Sequence, residues 1–184
     1  MTAPFSILVV CVGNVCRSPL AHHLLAARLD PARFEVASAG THALVGEPMD
    51  PPALAELRRL GGDADGFVAR RLTADLVTGA DLVLAATRRV RGDVVTSAPA
   101  ALKRAFTLRE LALLVGSDEV TSGPSSPAEL VARAASWRGT VAAGLDDELD
   151  LPDPIGRPAT VHRAVAELAD GAVEAIATAL ARSL

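Results

Sequence analysis

Residues Phe5–Cys11 read FSILVVC, an almost unbroken apolar run, and this run limits the folds open to the chain more than any other feature. A strand with almost no polar alternation has to be covered on both faces, as a central strand of a parallel α/β sheet is. Gly13 and Asn14 follow it, residue types that tolerate left-handed backbone. Ser18 and Pro19 then mark a helix start, with Ser18 as the cap and Pro19 in the first turn. Leu20, Leu24, Leu25 and Leu29 continue at helical spacing. The unit is therefore strand, short loop, helix.

The rest of the chain repeats the alternation. Strands are expected at 34–38, 80–86 and 103–107. Helices are expected at 53–60 (stopped by Gly61-Gly62), near 88–96, at 108–114 and at 127–137, with a short turn capped by Thr73. A last helix carries Val161, Val165, Leu168, Ala172, Val173, Ile176 and Leu180 as one apolar stripe. The stretch 116–127, rich in Ser, Gly and Pro, reads as a surface loop, and the acidic stretch 146–150 as solvated. Alternating strands and helices predict one α/β domain over residues 1–184 with a parallel sheet. Its 184 residues, half of them apolar, can bury a sizeable core.

No apolar run approaches the ~20 residues that span a bilayer. The opening Met-Thr-Ala-Pro-Phe has no basic residue ahead of its apolar stretch, so it does not read as a secretory signal. Two cysteines in such a chain point to a reducing cytoplasm, not to a disulfide framework. A net charge of −4 argues against nucleic-acid or anionic-membrane binding. Any phosphate site must then be built locally.

The loop after the first strand could be such a site. A loop entering a helix can turn its N–H groups inward, and the helix N-terminus adds partial positive charge. Arg17 offers a planar fork that matches two phosphoryl oxygens. A cysteine at the base of this nest, Cys11, would be held as a thiolate nucleophile. Ser18 could donate a hydrogen bond to that sulfur. Other readings of the same residues exist. Cys-x5-Arg alone recurs by chance, and a buried cysteine at a strand end is ordinarily an inert small hydrophobe. Cys11 and Cys16 could be half a metal site, but the chain has no further cysteine, and His22 and His23 lie along the helix. A Walker A loop is excluded because no Gly-Lys-Ser/Thr follows.

The string VCVGNVCRSP at 10–19, close to the N-terminus and directly after a strand, resembles the low-molecular-weight protein tyrosine phosphatases of bacterial type. Ser38-Ala39-Gly40-Thr41 is similar to the family's segment after the second strand, and the run at 80–84 to its third strand. Asp153-Pro154, ahead of the last helix, is similar to its general-acid loop. These segments keep the family's order from Phe5 to about Leu180; a longer stretch near 108–150 has no counterpart in compact members. The resemblance implies a four-stranded parallel flavodoxin-like sheet flanked by helices, with a phosphate-binding P-loop after the first strand. It also implies a phosphomonoester hydrolase, a cysteine-dependent protein-tyrosine phosphatase working through a phosphocysteine intermediate.

Carried over position by position, the resemblance makes Cys11 the nucleophile, Arg17 the phosphate clamp and Asp153 the general acid. Val12, Gly13, Asn14, Val15, Cys16, Arg17 and Ser18 would bind phosphate, and Asn14 would brace the loop. Cys16 would be the redox partner of Cys11, able to close a disulfide with it, or else a small buried filler. No metal and no cofactor is implied. The partner would be a phosphotyrosine protein or a small aryl phosphate, a bacterial tyrosine kinase being one such protein, with no nucleic acid and no membrane insertion. Departures from the pattern bear on substrate choice. Phe67 stands where members often have a His that braces the asparagine, and Ile155, with Leu44 and Val45, stands where aromatic walls are common. His42 and His162 read as surface or capping residues, and Arg88, Arg89 and Arg91 as a solvated helix face. Two other functions are open to such a chain. One is an arsenate reductase-like activity, which would need two further cysteines that are not there; the other is a phosphoprotein-binding module with weak catalysis.

Overall fold

Along β1 (Phe5–Cys11) the side chains alternate between two apolar layers, Ile7 and Val9 entering one and Leu8 and Val10 the other. In the computed structural model, which describes residues 3–141 and 146–184, β1 is central as its sequence requires. It pairs in parallel with β2 (Phe34–Gly40) on one side and β3 (Leu82–Ala85) on the other, and β4 (Ala105–Thr107) adds beyond β3. The order β2-β1-β3-β4 is the flavodoxin-like arrangement expected. Chain order reverses at β1, and ligands of open α/β sheets bind at the carboxyl ends of strands at that point. Cys11, the last residue of β1, stands there.

The two faces are covered unequally. Helices α1 (Arg17–Arg28), α2 (Pro51–Arg59), α5 (Leu108–Leu114), α7 (Pro127–Val141) and α8 (Ala159–Arg182) share a large core with Ile7, Val9, Leu82, Leu84 and Phe106. Helices α3 (Ala74–Gly79) and α4 (Arg88–Ser97) cover the other face with the smaller residues Val77, Ala80, Val90 and Val94. Thr73 caps α3, its hydroxyl accepting from the Leu76 N–H at 3.3 Å.

Several boundaries differ from the expectation, each for a local reason. Helix α1 begins at Arg17, not at Pro19, so Ser18 lies inside the first turn and its hydroxyl is free for another partner. Pro19 remains harmless there, because the first N–H groups of a helix have no intrahelical acceptor. Strand β3 starts at Leu82 because Asp81 turns its carboxylate onto the N–H of Ser6 at 2.8 Å. The 116–127 stretch holds one short helix, α6 (Asp118–Thr121), which buries Val120. In α8, Leu168 is exposed, and the buried stripe runs instead through His162, Val165, Ala169, Ala172, Val173, Ile176 and Leu180.

The acidic stretch at 146–150 is not simply solvated. A 3-10 turn at Asp146–Leu149 buries Leu149, and the Asp150 carboxylate accepts from the Arg88 N–H at 2.7 Å. The Leu151 N–H donates to the Ala86 carbonyl at 2.8 Å. These bonds moor the chain just ahead of Asp153 to the carboxyl end of β3.

Candidate active site

The loop between β1 and α1 is shaped from outside. The carbonyls of Cys11, Val12, Gly13 and Val15 accept from the N–H groups of Thr41, His42, Leu44 and Asp50 at 2.7–3.0 Å, and that of Cys16 from Leu20 at 3.1 Å. A trans peptide points its N–H opposite to its carbonyl, so the N–H groups of Val12, Gly13, Asn14, Cys16 and Arg17 turn to the inner side of the loop. One of them can be followed directly: the Asn14 N–H reaches the Cys11 Sγ at 3.2 Å. The result is an anion nest at the start of a helix.

Asn14 holds this curvature. It is the one non-glycine with positive φ (+56°) among the described residues, and it is fully buried. Its Oδ1 accepts from the Arg70 N–H at 2.9 Å, which fixes the amide the right way round. Its Nδ2 then donates to the hydroxyls of Ser18 at 2.9 Å and Ser38 at 3.0 Å. With that lone pair taken, the Ser18 proton is free to point at the Cys11 Sγ, 2.9 Å away. By the same logic Ser38 donates to the Nδ1 of His22 at 3.2 Å, while the His22 ring donates to the Val36 carbonyl. Burial, and after it the neighbouring His23 and Arg70, push the His22 pKa down to about 4, so the ring is neutral and Nδ1 is free to accept.

Phe67 therefore leaves no gap in the bracing. Ser38, Ser18 and the Arg70 backbone supply it, and Phe67 packs edge-on against His23 with ring centroids 5.5 Å apart. Gly40 explains why the segment at 38–41 accompanies the loop. A Cβ there would lie 2.5 Å from the Val12 carbonyl oxygen and 2.9 Å from the Asn14 nitrogen, so only glycine admits the close approach.

Arg17 is buried and spans the site. Its Nη2 pairs with Asp153 Oδ2 at 2.7 Å and its Nη1 donates to the Leu151 carbonyl at 3.2 Å. The Asp153 side chain is 52% exposed, and its Oδ1 accepts from the Ile155 N–H at 3.3 Å. Cys11, Arg17 and Asp153, 142 positions apart at the extremes, thus converge on one loop. Val12, Leu44, Val45 and Ile155 are exposed apolar side chains on the segments that form it.

Other expected residues fall differently. Cys16 is a buried free thiol, its pKa raised first by burial and then by Asp50 and Cys11. His42 is exposed as expected. His162 is not a surface residue: it is buried, with Nδ1 3.9 Å from Asp50 Oδ2, because α8 starts against α2. Of the arginine cluster only Arg89 is fully exposed; the Arg91 Nε donates to the Ala105 carbonyl and Arg88 pairs with Asp150. His22, Ser38 and Arg70 join the site without a local sequence pattern to mark them, apart from Ser38 two positions before Gly40.

Comparison with known proteins follows the same lines. The profile of the low molecular weight phosphotyrosine protein phosphatases matches residues 6–120. A probable low molecular weight protein-tyrosine-phosphatase, EpsP of Ralstonia nicotianae, is 40% identical over 106 residues, which are 58% of this chain and 72% of EpsP. The crystal structure of the tyrosine phosphatase AmsI of Erwinia amylovora superposes with a TM-score of 0.72 at 26% identity, covering 97% of this chain and 95% of that one. The YwlE arginine phosphatase of Geobacillus stearothermophilus superposes with a TM-score of 0.69 at 28% identity, covering 95% and 92%. No described helix is long and apolar enough to cross a membrane. With its loop, sheet order and sequence all in agreement, this chain belongs to the low molecular weight phosphotyrosine protein phosphatases, a family of cysteine-dependent hydrolases.

Proposed function

We propose that the chain hydrolyses aryl phosphomonoesters, phosphotyrosine foremost, with Cys11 as nucleophile, Arg17 as clamp and Asp153 as general acid. The observation that carries this is the Cys11 sulfur at the base of the nest, with the Ser18 hydroxyl at 2.9 Å and the Asn14 N–H at 3.2 Å. Both stabilise negative charge on sulfur before attack and on its return as leaving group. The phosphoryl oxygens take the inward N–H groups and the Arg17 fork, and Asp153 exchanges its 2.7 Å ion pair for the leaving oxygen. The thiolate forms an S–P bond as the P–O bond to the aryl group breaks, and the proton on Asp153 goes to the departing oxygen. Water then attacks phosphorus, gives its proton to the Asp153 carboxylate, and the S–P bond breaks to return thiolate and phosphate.

Val12, Gly13, Asn14, Val15, Cys16, Arg17 and Ser18 make up the phosphate cradle in this reading. Val12, Leu44, Val45 and Ile155 bury the faces of a ring without stacking on it. A phosphotyrosine protein, a bacterial tyrosine kinase among them, is the fitting macromolecular substrate, as for the tyrosine phosphatases it resembles. A reducing cytoplasm suits its two free thiols. Oxidised to sulfenic acid by peroxide, Cys11 would be trapped by Cys16 as a disulfide with loss of water. The segment at 108–150 belongs to the same domain, since Leu111, Leu114, Leu130 and Ala134 lie in the core that α8 closes. An arsenate reductase relay has no third cysteine to use.

The test is turnover of an aryl phosphate, an alkyl phosphate and phosphoarginine by the purified chain. Rapid acid quench and intact mass should show one phosphoryl group on Cys11 during aryl phosphate turnover. Preference for phosphoarginine would move the chain to the specificity of YwlE; absence of the adduct would remove Cys11 from the mechanism.

A further inference from the structure

Behind the phosphate cradle, to which Cys16 lends its backbone N–H, one group of side chains is left with unmatched chemistry. Cys16 at the start of α1, Asp50 ahead of α2 and His162 in the first turn of α8 bring a sulfur, a carboxylate oxygen and an imidazole nitrogen within 4.8 Å of one another. His162 has a side chain only 3% exposed, and its Nδ1 has no hydrogen-bond partner; the buried Oδ2 of Asp50 has none either. Their 3.9 Å separation is too long for a hydrogen bond.

Asp50 occupies the N-cap position of α2, where Pro51 and Pro52 offer no N–H for it to accept, and its side chain makes no cap bond. The carboxylate faces Cys16 and His162. Its own N–H donates to the Val15 carbonyl at 2.7 Å, which couples this corner to the nucleophile loop.

We propose that Cys16 Sγ, Asp50 Oδ2 and His162 Nδ1 form a binding site for Zn²⁺ or a similar borderline-soft divalent cation, behind the loop that carries Cys11. Thiolate, imidazole and carboxylate are the donors such ions select, and three of them leave the fourth tetrahedral position open. Ligands of a tetrahedral zinc stand roughly 3.3–3.7 Å apart, given bonds of about 2.0–2.3 Å. The 3.9 Å from Asp50 to His162 therefore needs only a small inward turn of Asp50, whose side chain is 25% exposed and so leaves the ion a way in. Binding forms one bond each to sulfur, nitrogen and oxygen and releases the Cys16 thiol proton to solvent. It fastens the starts of α1, α2 and α8 to one point, and the Cys11–Cys16 disulfide proposed above then forms only in the metal-free chain. The site does not depend on how Cys11 reacts, so it stands or falls apart from the catalytic reading.

The experiment is metal titration of the full chain, with Zn²⁺ against a chromophoric chelator and Co²⁺ followed by absorption. The Cys11→Ser variant serves as the reference, because it removes the only other thiol. One ion per chain is expected, with thiolate-to-cobalt charge transfer retained in Cys11→Ser. Cys16→Ala should abolish the charge-transfer band, and His162→Phe, which fills the buried volume without a donor, should weaken Zn²⁺ binding at least tenfold. Circular dichroism melts show which variants are folded, and His162→Phe and Asp50→Asn report independently if Cys16→Ala is not. No stoichiometric binding would overturn the proposal. So would binding that is lost in Cys11→Ser, or binding that survives undiminished in both His162→Phe and Asp50→Asn.

Discussion

The loop at 11–18 and the segment at 150–157 each deliver a charged group to the same point, but they are built in opposite ways. In the first, Asn14, Arg17 and Ser18 are buried, and the Asn14 amide has both hydrogens and its oxygen assigned. In the second, Asp153 is half exposed and is held by one ion pair and one 3.3 Å contact from the Ile155 N–H. Its mooring stops at Leu151, whose N–H and carbonyl are both used, by Ala86 and Arg17. The difference matches the two tasks proposed for them. Charge on phosphorus must meet dipoles that do not reorganise, whereas an acid that serves first the leaving group and then water must be able to shift.

Substitutions in the two regions should therefore separate cleanly. Cys11→Ser is expected to lower kcat by on the order of 10⁴-fold or more while leaving phosphate or vanadate binding intact. Residual turnover above a tenth of wild type would mean that the rigid region is not where the bond is made. Arg17→Lys should cost on the order of 10²–10³-fold, since a point charge replaces neither the fork nor the bond to Leu151. Asp153→Asn sharpens the contrast. It should slow poor leaving groups by roughly 10²-fold or more and good ones far less, with little change in Tm. An equal loss on both kinds of substrate would assign Asp153 to positioning alone.

Smaller effects probe how the rigid region is held. Gly40→Ala puts a Cβ 2.5 Å from the Val12 carbonyl oxygen, so Tm should fall and KM for phosphate esters should rise before kcat does. The gentlest perturbation is pH. His22 has a folded pKa of about 4 against 6.5 unfolded, so the unfolded chain binds more protons between these values. Stability is fully present above pH 6.5 and is lost as the pH falls towards 4. His23, also lowered by burial, acts in the same direction. Tm measured across this window should decline in the wild type and less so in His22→Gln; an unchanged slope would take His22 out of the bracing chain.

How much of this was legible in the sequence depends on distance along the chain. The strand–loop–helix unit could be read because its signals are adjacent: the apolar run, then Asn14 and Gly13, then Ser18-Pro19. Helix α1 starts two residues before Pro19 because Ser18, by type a cap, is spent on the Cys11 sulfur. Leu168 fits the apolar stripe of α8 by type but is exposed, while His162 takes a buried place that its polarity disguises. The Cys16–Asp50–His162 group could not be seen at all, since it exists only once three helix starts meet. Phe67 raised a question that spacing could not answer; the answer, Ser38 with His22 behind it, lies on a neighbouring strand and helix.

The outward carbonyls of the loop at 11–18 have one more implication, for anyone wishing to move the proposed chemistry elsewhere. The eight residues from Cys11 to Ser18 look like a portable cassette, but their curvature is written in the backbone of 40–50, which supplies donors to four of their carbonyls. Grafted alone onto another strand–helix junction, the loop would lose the outer donors that turn its N–H groups inward, and the asparagine would lose Ser38 and Arg70. The smallest transplantable unit is therefore two parallel strands with both of their following loops, joined at the glycine where they touch, together with the backbone at Arg70.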